Sequence, residues 1–163
     1  MDAKPVVGIV MGSDSDLPIM REAAETLKQF GVPWEMTVAS AHRSPDRAGL
    51  YAASARERGL KVVIAGAGWA AHLAGVLAAG TTLPVIGVPL ASSPLNGLDA
   101  LLSTVQMPPG VPVAVMALGG ARNAALLAVQ ILALSDEHLA EKLLSWKDEM
   151  ARGVAEKAAK VEL

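Results

Sequence analysis

The 163-residue chain is aliphatic, with 52% hydrophobic, 3% aromatic and 18% charged residues, and its length suits a single domain. A net charge of −2 excludes a polybasic nucleic-acid surface, and the absence of cysteine excludes disulfides, thiolate nucleophiles and iron–sulfur clusters. No apolar run reaches the about 18 residues of a membrane span, so we expect a cytoplasmic protein that binds neither membranes nor nucleic acid. The apolar excess indicates burial against other subunits or an ordinary alanine-rich core.

Strands and helices are predicted to alternate along the whole chain, with no linker, repeat or low-complexity segment. Short apolar runs predict buried strands, and apolar residues at helical spacing predict the helices between them. The predicted strands are 6–11, 34–38, 62–65, 85–88 and 113–117. The predicted helices run up to Gly31, from 46 to before Gly59, over 71–79, up to Gln106 and over 123–133, with a last one from 135 onward.

This alternation predicts one α/β domain over residues 1–163, built on an open, doubly wound, five-stranded parallel sheet with helices on both faces. Segment 123–133 is almost purely aliphatic and is predicted to be a buried helix. Segment 135–163 is predicted to be a long amphipathic C-terminal helix that packs on neighbouring subunits. Its apolar stripe is Leu139, Leu143, Trp146 and Met150.

Two polar loops follow the first two strands, where ligands bind in such sheets. In loop 12–16, backbone N–H groups at the helix start and the Ser13 hydroxyl suit a phosphate, and Asp16 suits a ribose, although plain helix capping is an alternative. In loop 40–46, His42 exchanges protons near neutral pH, and Arg43 holds phosphates through its planar fork. His42 alone could be structural, but its serine and arginine neighbours favour catalysis.

The third loop, from Gly66 to His72, superficially fits a dinucleotide-binding fingerprint. The acidic residue expected roughly 20 positions later is missing, so NAD binding is not expected and a close approach to a small ligand is favoured. His72 alone would more often be structural than catalytic, and His138 is predicted to be solvated. The histidines lack metal-ligand spacing, so no metal site is expected.

Taken together, these motifs resemble the class I N5-carboxyaminoimidazole ribonucleotide mutases of purine biosynthesis, from about residue 6 to residue 134. His42 followed by Arg43, rather than lysine, resembles the class that takes the carbamate instead of free carbon dioxide. The matching motifs are MGSDSD (11–16), SAHRSPD (40–46), AGAG (65–68), AAHL (70–73), LNGLD (95–99), STVQMP (103–108) and NAALLA (123–128).

The resemblance implies a flavodoxin-like three-layer fold, a homo-octamer, and a reaction without metal, biotin, ATP or flavin. That reaction moves a carboxylate from the exocyclic nitrogen of a ribonucleotide substrate to a ring carbon by decarboxylation and recarboxylation. It implies His42 as the proton shuttle and Asp16 on the ribose. The phosphate would be held by Ser13, Ser40 and Arg43. The carboxylate pocket would be lined by the N–H groups of Gly66, Ala67 and Gly68, with His72 and Leu73 behind them.

The third loop departs from the family pattern at Trp69, where the family has glycine, and at Ala74, where it has proline. An indole beside the implied carboxylate pocket makes Trp69 a candidate specificity modifier, and the loss of glycine removes easy access to positive φ. Three hypotheses follow. The chain is the mutase and tolerates Trp69, or it is an enzyme of the same fold with altered chemistry such as a decarboxylase, or it is a catalytically impaired octameric assembly.

Overall fold

The computed structural model describes residues 4–161, so residues 1–3 and 162–163 of the predicted domain and C-terminal segment lie outside the described part. Strands and helices alternate as predicted, and a single 3₁₀ turn (Asp14–Asp16) precedes the first helix. The strands are β1 (Val7–Met11), β2 (Trp34–Val38), β3 (Val62–Gly68), β4 (Val85–Leu90) and β5 (Ala114–Val115). The helices are α1 (Leu17–Phe30), α2 (Pro45–Ala55), α3 (Leu73–Gly80), α4 (Leu98–Val105), α5 (Ala121–Ala133) and α6 (Glu137–Ala158).

The five strands form one parallel sheet in the order β2-β1-β3-β4-β5. This is the flavodoxin-like order, in which the chain reverses its direction of winding between β1 and β3. The two strands pair from Val7↔Val62 to Met11↔Gly66. The loops after β1, β2 and β3 therefore leave the sheet side by side, at the point where a ligand crevice is expected.

Helices cover both faces of the sheet, which confirms the predicted three layers. On one face, α1 and α5 pack over Ile9, Ile64 and Ile86, and α6 adds Leu139 to the same core. On the other face, α2 and α3 pack over Val10, Val63 and Val85. A side chain at Gly87 of β4 would collide with Thr104 of α4 and Ala74 of α3, so α4 lies on this second face as well.

Four of the five strand predictions were wrong at one or both ends: β1 begins at Val7 rather than at 6, β4 continues past the predicted end at 88 to Leu90, and β3 and β5 differ more. β3 continues past the predicted end at residue 65 to Gly68, because its last residues still pair with β4, as in Gly68↔Leu90. β5 contains only Ala114 and Val115, because only these residues pair with Ile86 and Gly87. The length of a strand depends on its neighbour, because hydrogen bonding between the two strands stops where the neighbour ends. The pattern of side chains in one strand does not contain this information.

Four helices also differ from their predicted bounds, among them α6, which begins at Glu137 rather than at 135. α2 begins at Pro45, a residue suited to the first helical turn, and ends at Ala55, before a turn that closes at Gly59. α3 begins at Leu73 with His72 as its N-cap, rather than at 71. α5 begins two residues earlier than predicted, at Ala121.

The helix predicted to be wholly buried, α5, is buried on one face only in the single chain. Its alanines at 121, 124, 125 and 128 are buried, whereas Asn123 and Gln130 are exposed. α6 docks through its first half: Trp146 packs edge-to-face on Phe30 at 6.3 Å, and Lys142 Nζ donates to the Phe30 carbonyl at 2.9 Å. Beyond Met150 its apolar side chains are largely exposed. Within residues 4–161, no helix is long and apolar enough to cross a membrane.

Candidate active site

The polar loops meet at the carboxyl edge of the sheet, around a cleft of about 610 Å³. Every predicted site residue except Gly66 lines this cleft. The lining residues are Gly12, Ser13, Ser15, Asp16, Ser40, Ala41, His42, Arg43, Ala67, Gly68, Trp69, Ala70, His72, Leu73 and Ser92.

The loop after β1 is held in shape by a capping box. Ser13 Oγ accepts from the Ser15 N–H at 3.4 Å, and Asp16 Oδ2 accepts from the Ser13 N–H at 3.1 Å. The capping alternative raised from the sequence therefore applies to Ser13 and Asp16, and the same two residues line the cleft. Capping fixes these side chains at the start of the helical segment, where backbone N–H groups favour an anion.

Asp16 is buried, with 6% of its surface exposed. Burial raises the pKa of its carboxyl, because a charge is poorly solvated there, and this outweighs the opposing effects of the Ser13 N–H and the Arg43 charge. A ligand with hydroxyl donors would give the ionised carboxylate the hydrogen bonds that water no longer supplies. This environment suits a sugar diol.

In the loop after β2, two serines shape the turn that presents His42 and Arg43. The Ser40 N–H donates to Ser44 Oγ at 2.9 Å, and the Arg43 N–H donates to Ser40 Oγ at 3.1 Å. Arg43 Nη2 donates to the Gly12 carbonyl at 3.2 Å, which ties this loop to the loop after β1. A guanidinium carries five N–H donors, so the remaining ones are available to an anion in the cleft.

The two histidines of the cleft form a pair across 30 residues of sequence. His42 Nε2 and His72 Nδ1 are 2.8 Å apart, with ring planes at 71°. One of these nitrogens must carry the proton and the other accept it, so the pair shares one proton at this contact. His72 is held in place as the N-cap of α3. The structure thus brings His72, which on its own would more often be structural and which the resemblance placed behind the carboxylate pocket, next to the candidate proton shuttle.

The end of β3 forms the floor of the cleft. The Gly12 N–H donates to the Gly66 carbonyl at 3.0 Å, and a side chain at Gly66 would collide with Met20, so Gly66 lies behind the lining. Ala67 and Gly68 extend beyond the end of β1 and are part of the lining. Leu73, only 1% exposed, closes the cleft from the core of the second face.

Trp69 adopts the left-handed backbone conformation, with φ of 53°. That conformation costs a residue with a side chain about 1–2 kcal/mol. The chain bends at Trp69 as it passes from β3 toward α3. Glycine adopts this backbone conformation easily, and here a tryptophan adopts it. Its indole borders the cleft and is 59% exposed.

Sequence reasoning missed Ser92, which belongs to the loop after β4. A side chain at Gly68 would collide with Ser92 Oγ, so the two residues are in close contact. The signal was present, because Ser92 and Ser93 lie four and five residues after the predicted end of a buried strand at 88, at the same edge as the other loops. Within the described residues, no three histidine, aspartate or glutamate side chains are grouped to hold a metal.

Comparisons with known proteins agree with this architecture. A family model described as AIR carboxylase matches residues 6–153. The N5-carboxyaminoimidazole ribonucleotide mutase of Pyrococcus horikoshii is 59% identical over 159 residues, covering 98% of this chain and 90% of that protein. The mutase of Thermotoga maritima is 56% identical over 158 residues, covering 97% and 92%.

Other relatives are longer or more distant. The phosphoribosylaminoimidazole carboxylase of Saccharomyces cerevisiae is 55% identical over 159 residues, which cover 98% of this chain and 28% of that protein. Among solved structures, that of Treponema denticola PurE has a TM-score of 0.88 at 28% identity, covering 98% of this chain and 99% of the other.

Proposed function

The chain belongs to the AIR carboxylase family, and we propose that it is an isomerase acting on N5-carboxyaminoimidazole ribonucleotide in purine biosynthesis. It moves the carboxylate from the exocyclic nitrogen to a ring carbon and yields 4-carboxyaminoimidazole ribonucleotide. The observation that carries this proposal is the near-full-length identity of 53–60% to relatives named as this mutase. It favours the mutase over altered chemistry or an impaired assembly.

The phosphate and ribose are held by the loops after β1 and β2. Arg43 and the hydroxyls of Ser13 and Ser40 bind the phosphate, and they are supported in this role by a shared position in the cleft. Asp16 accepts hydrogen bonds from the ribose hydroxyls, and its burial supports this role because an ionised carboxylate there needs donors.

His42 moves the single proton that the reaction requires. The carbamate N–C bond breaks, its electron pair stays on nitrogen, and His42 protonates that nitrogen as carbon dioxide is released. The ring carbon then attacks the carbon dioxide, and His42 takes the proton that this carbon loses. The proton balance closes within the site. The contact between His42 and His72 at 2.8 Å supports this role, because a neighbouring imidazole orients the ring and its tautomer.

Carbon dioxide is retained between the two steps by the end of β3. The backbone of Ala67 and Gly68 borders the space in which the carboxylate reacts, Gly66 supports it from behind, and His72 and Leu73 close it. Holding both fragments in contact supplies about 7–11 kcal/mol of the barrier through entropy already lost on binding. No metal, ATP or other cofactor takes part in this scheme.

The protein acts as a cytoplasmic homo-octamer in this proposal, with residues 135–163 packed on neighbouring subunits. Exposed aliphatic side chains on two helices support burial in an assembly. On α4, Leu98 and Leu102 are 55% and 49% exposed; on α6, Leu144 and Val154 are 64% and 66% exposed. Light scattering of the purified protein measures the subunit number, and a monomer would contradict this part of the proposal.

The activity is tested with 4-carboxyaminoimidazole ribonucleotide, by following loss of its ultraviolet absorbance in the reverse direction. We expect turnover by the wild type, at least 100-fold slower turnover by His42→Asn, and a normal rate for His138→Asn. His138 lies on α6, outside the cleft, so it is a matched control for the same substitution. Equal rates for His42→Asn and wild type would refute the proton shuttle.

A second assay separates the mutase from a carboxylase, since fungal relatives carry the carboxylase name. N5-carboxyaminoimidazole ribonucleotide is supplied alone, and aminoimidazole ribonucleotide is supplied with bicarbonate. The mutase converts the carbamate at a rate that does not depend on added bicarbonate. Faster conversion of the second mixture would assign the carboxylase reaction instead.

A further inference from the structure

Trp69 is in an unfavourable backbone conformation that its packing within the single chain offsets only in part. Its φ of 53° is in the left-handed region, its side chain is 59% exposed, and within residues 4–161 no hydrogen bond is made by its indole N–H. Burial of an aromatic ring normally stabilises a fold, and here most of that gain is missing. A strained residue that contributes little to folding is a candidate for a role in ligand binding.

The position of the indole in the cleft restricts what it can contact. Trp69 follows β3, whereas Ser13 and Arg43 follow β1 and β2. Adjacent strands are about 4.8 Å apart, so the indole lies one to two strand spacings from the anion-binding loops. A nucleotide whose phosphate is held at those loops is long enough for its base to reach the loop after β3.

The cleft contains no other residue among tryptophan, tyrosine and phenylalanine. The chain has only three tryptophans, one tyrosine and one phenylalanine. Trp34 lies on the edge strand β2, and Trp146 packs on Phe30, away from the cleft. A large flat π-surface is therefore presented at one point of the cleft that His42 and His72 also line.

We propose that the indole of Trp69 stacks on the planar aminoimidazole ring and makes Trp69 a specificity-determining residue for heteroaromatic nucleotides over ring-free sugar phosphates. The identity of the ring rests on the proposed function, whereas the stacking rests on the geometry of the cleft. Stacking on an aromatic face tolerates changes of ring substituent, because every such ring has a π-face.

The test compares affinities for aminoimidazole ribonucleotide and for ribose 5-phosphate, by calorimetry on the intact protein. The ratio of the two affinities isolates the ring from the phosphate and ribose. We expect Trp69→Ala and Trp69→Gly to lower this ratio by roughly 10-fold or more, and Trp69→Phe to restore much of it. Ribose 5-phosphate affinity should change less than threefold in all three variants.

The two truncations separate stacking from backbone strain. Trp69→Ala loses the indole but keeps a side chain at positive φ, whereas Trp69→Gly loses both. Stacking predicts the same affinity ratio for both variants, and strain predicts a melting temperature that rises in Trp69→Gly alone. An affinity ratio that falls in only one of the two variants would overturn the proposal, because a lost stacking surface affects both equally.

Tryptophan fluorescence supplies a readout that a purely structural role would not change. Aminoimidazole ribonucleotide should quench the wild-type emission, and Trp69→Phe should abolish that quenching although Trp34 and Trp146 remain. Persistent quenching in Trp69→Phe would refute contact with the ring. Failure of the wild type to turn over carboxyaminoimidazole ribonucleotide while the affinity ratio behaves as expected would reject the proposed reaction and leave the stacking assignment intact.

Discussion

Gly68→Ala places a methyl group where the structure has no room for one. Gly68 is the last residue of β3 and pairs with Leu90 of β4. A Cβ atom at this position would overlap Ser92 Oγ, and it would lie 3.0 Å from Ser92 Cβ and 3.1 Å from the Leu90 carbonyl oxygen. The strand cannot move away, because its neighbour β4 is fully buried.

The cost follows from these distances. Carbon atoms pack at about 3.5–4.0 Å, so Ser92 Cβ must retreat by roughly 0.5 Å and its hydroxyl must rotate. Overpacking of this kind costs about 1–3 kcal/mol, and the exposed loop at Ser92 can yield, so we expect about 1–2 kcal/mol. For a protein of this size, the melting temperature should fall by about 2–8 °C.

The assay is thermal and urea denaturation of single and double variants at one protein concentration. Ser92→Gly removes both colliding atoms, so Gly68→Ala in that background should cost at most half of its cost in the wild type. Gly49→Ala is the matched control: a Cβ at Gly49 of α2 meets nothing within 4 Å, and alanine there should stabilise by about 0.5–1 kcal/mol. Additive effects of Gly68→Ala and Ser92→Gly, or no loss of stability in Gly68→Ala, would refute this reasoning.

Three further predictions concern burial, pH and helix docking. Burial raises the pKa of Asp16, so the ionised carboxylate destabilises the fold above that pKa. The D16N variant should therefore melt at a higher temperature than the wild type at pH 7. Its nucleotide affinity, measured by calorimetry, should fall at least 10-fold. Burial and the hydrogen bond to Glu35 hold the pKa of Tyr51 far above its usual value of about 10. The protonated Tyr51 therefore stabilises the fold below pH ~10, and this stabilisation is lost as the pH rises further. Phenolate absorbance of the only tyrosine should appear together with unfolding, and Y51F should lose less stability than the wild type in alkali. Lys142→Met removes the bond to the Phe30 carbonyl and should cost about 1 kcal/mol in urea denaturation, whereas no change would mean that the bond is fully replaced by water.

Local patterns were sufficient for most elements of the fold. β2 was predicted with its observed bounds, and the end of α1 was predicted from Gly31, whose φ of 73° only glycine adopts easily. The polar loops were recognised as one site because parallel strands bring their carboxyl ends to one edge. The predicted end of β3 was wrong because its last residues are in a strand only through pairing with β4, as in Gly68↔Leu90. In the sequence, a run that contains two glycines resembles a loop.

The amino-acid sequence by itself determined the α/β class, the alternation of elements and the residues at each strand end, because all of these depend on hydrophobic periodicity and short motifs. The tertiary structure alone decided which of those residues meet. His42 and His72 form a pair only because β2 and β3 flank β1, and Gly66 lies behind the lining, where its carbonyl accepts from the Gly12 N–H and there is no room for a side chain beside Met20. Contacts between residues distant in sequence depend on strand order and on the volume of neighbouring side chains, and no local pattern contains either.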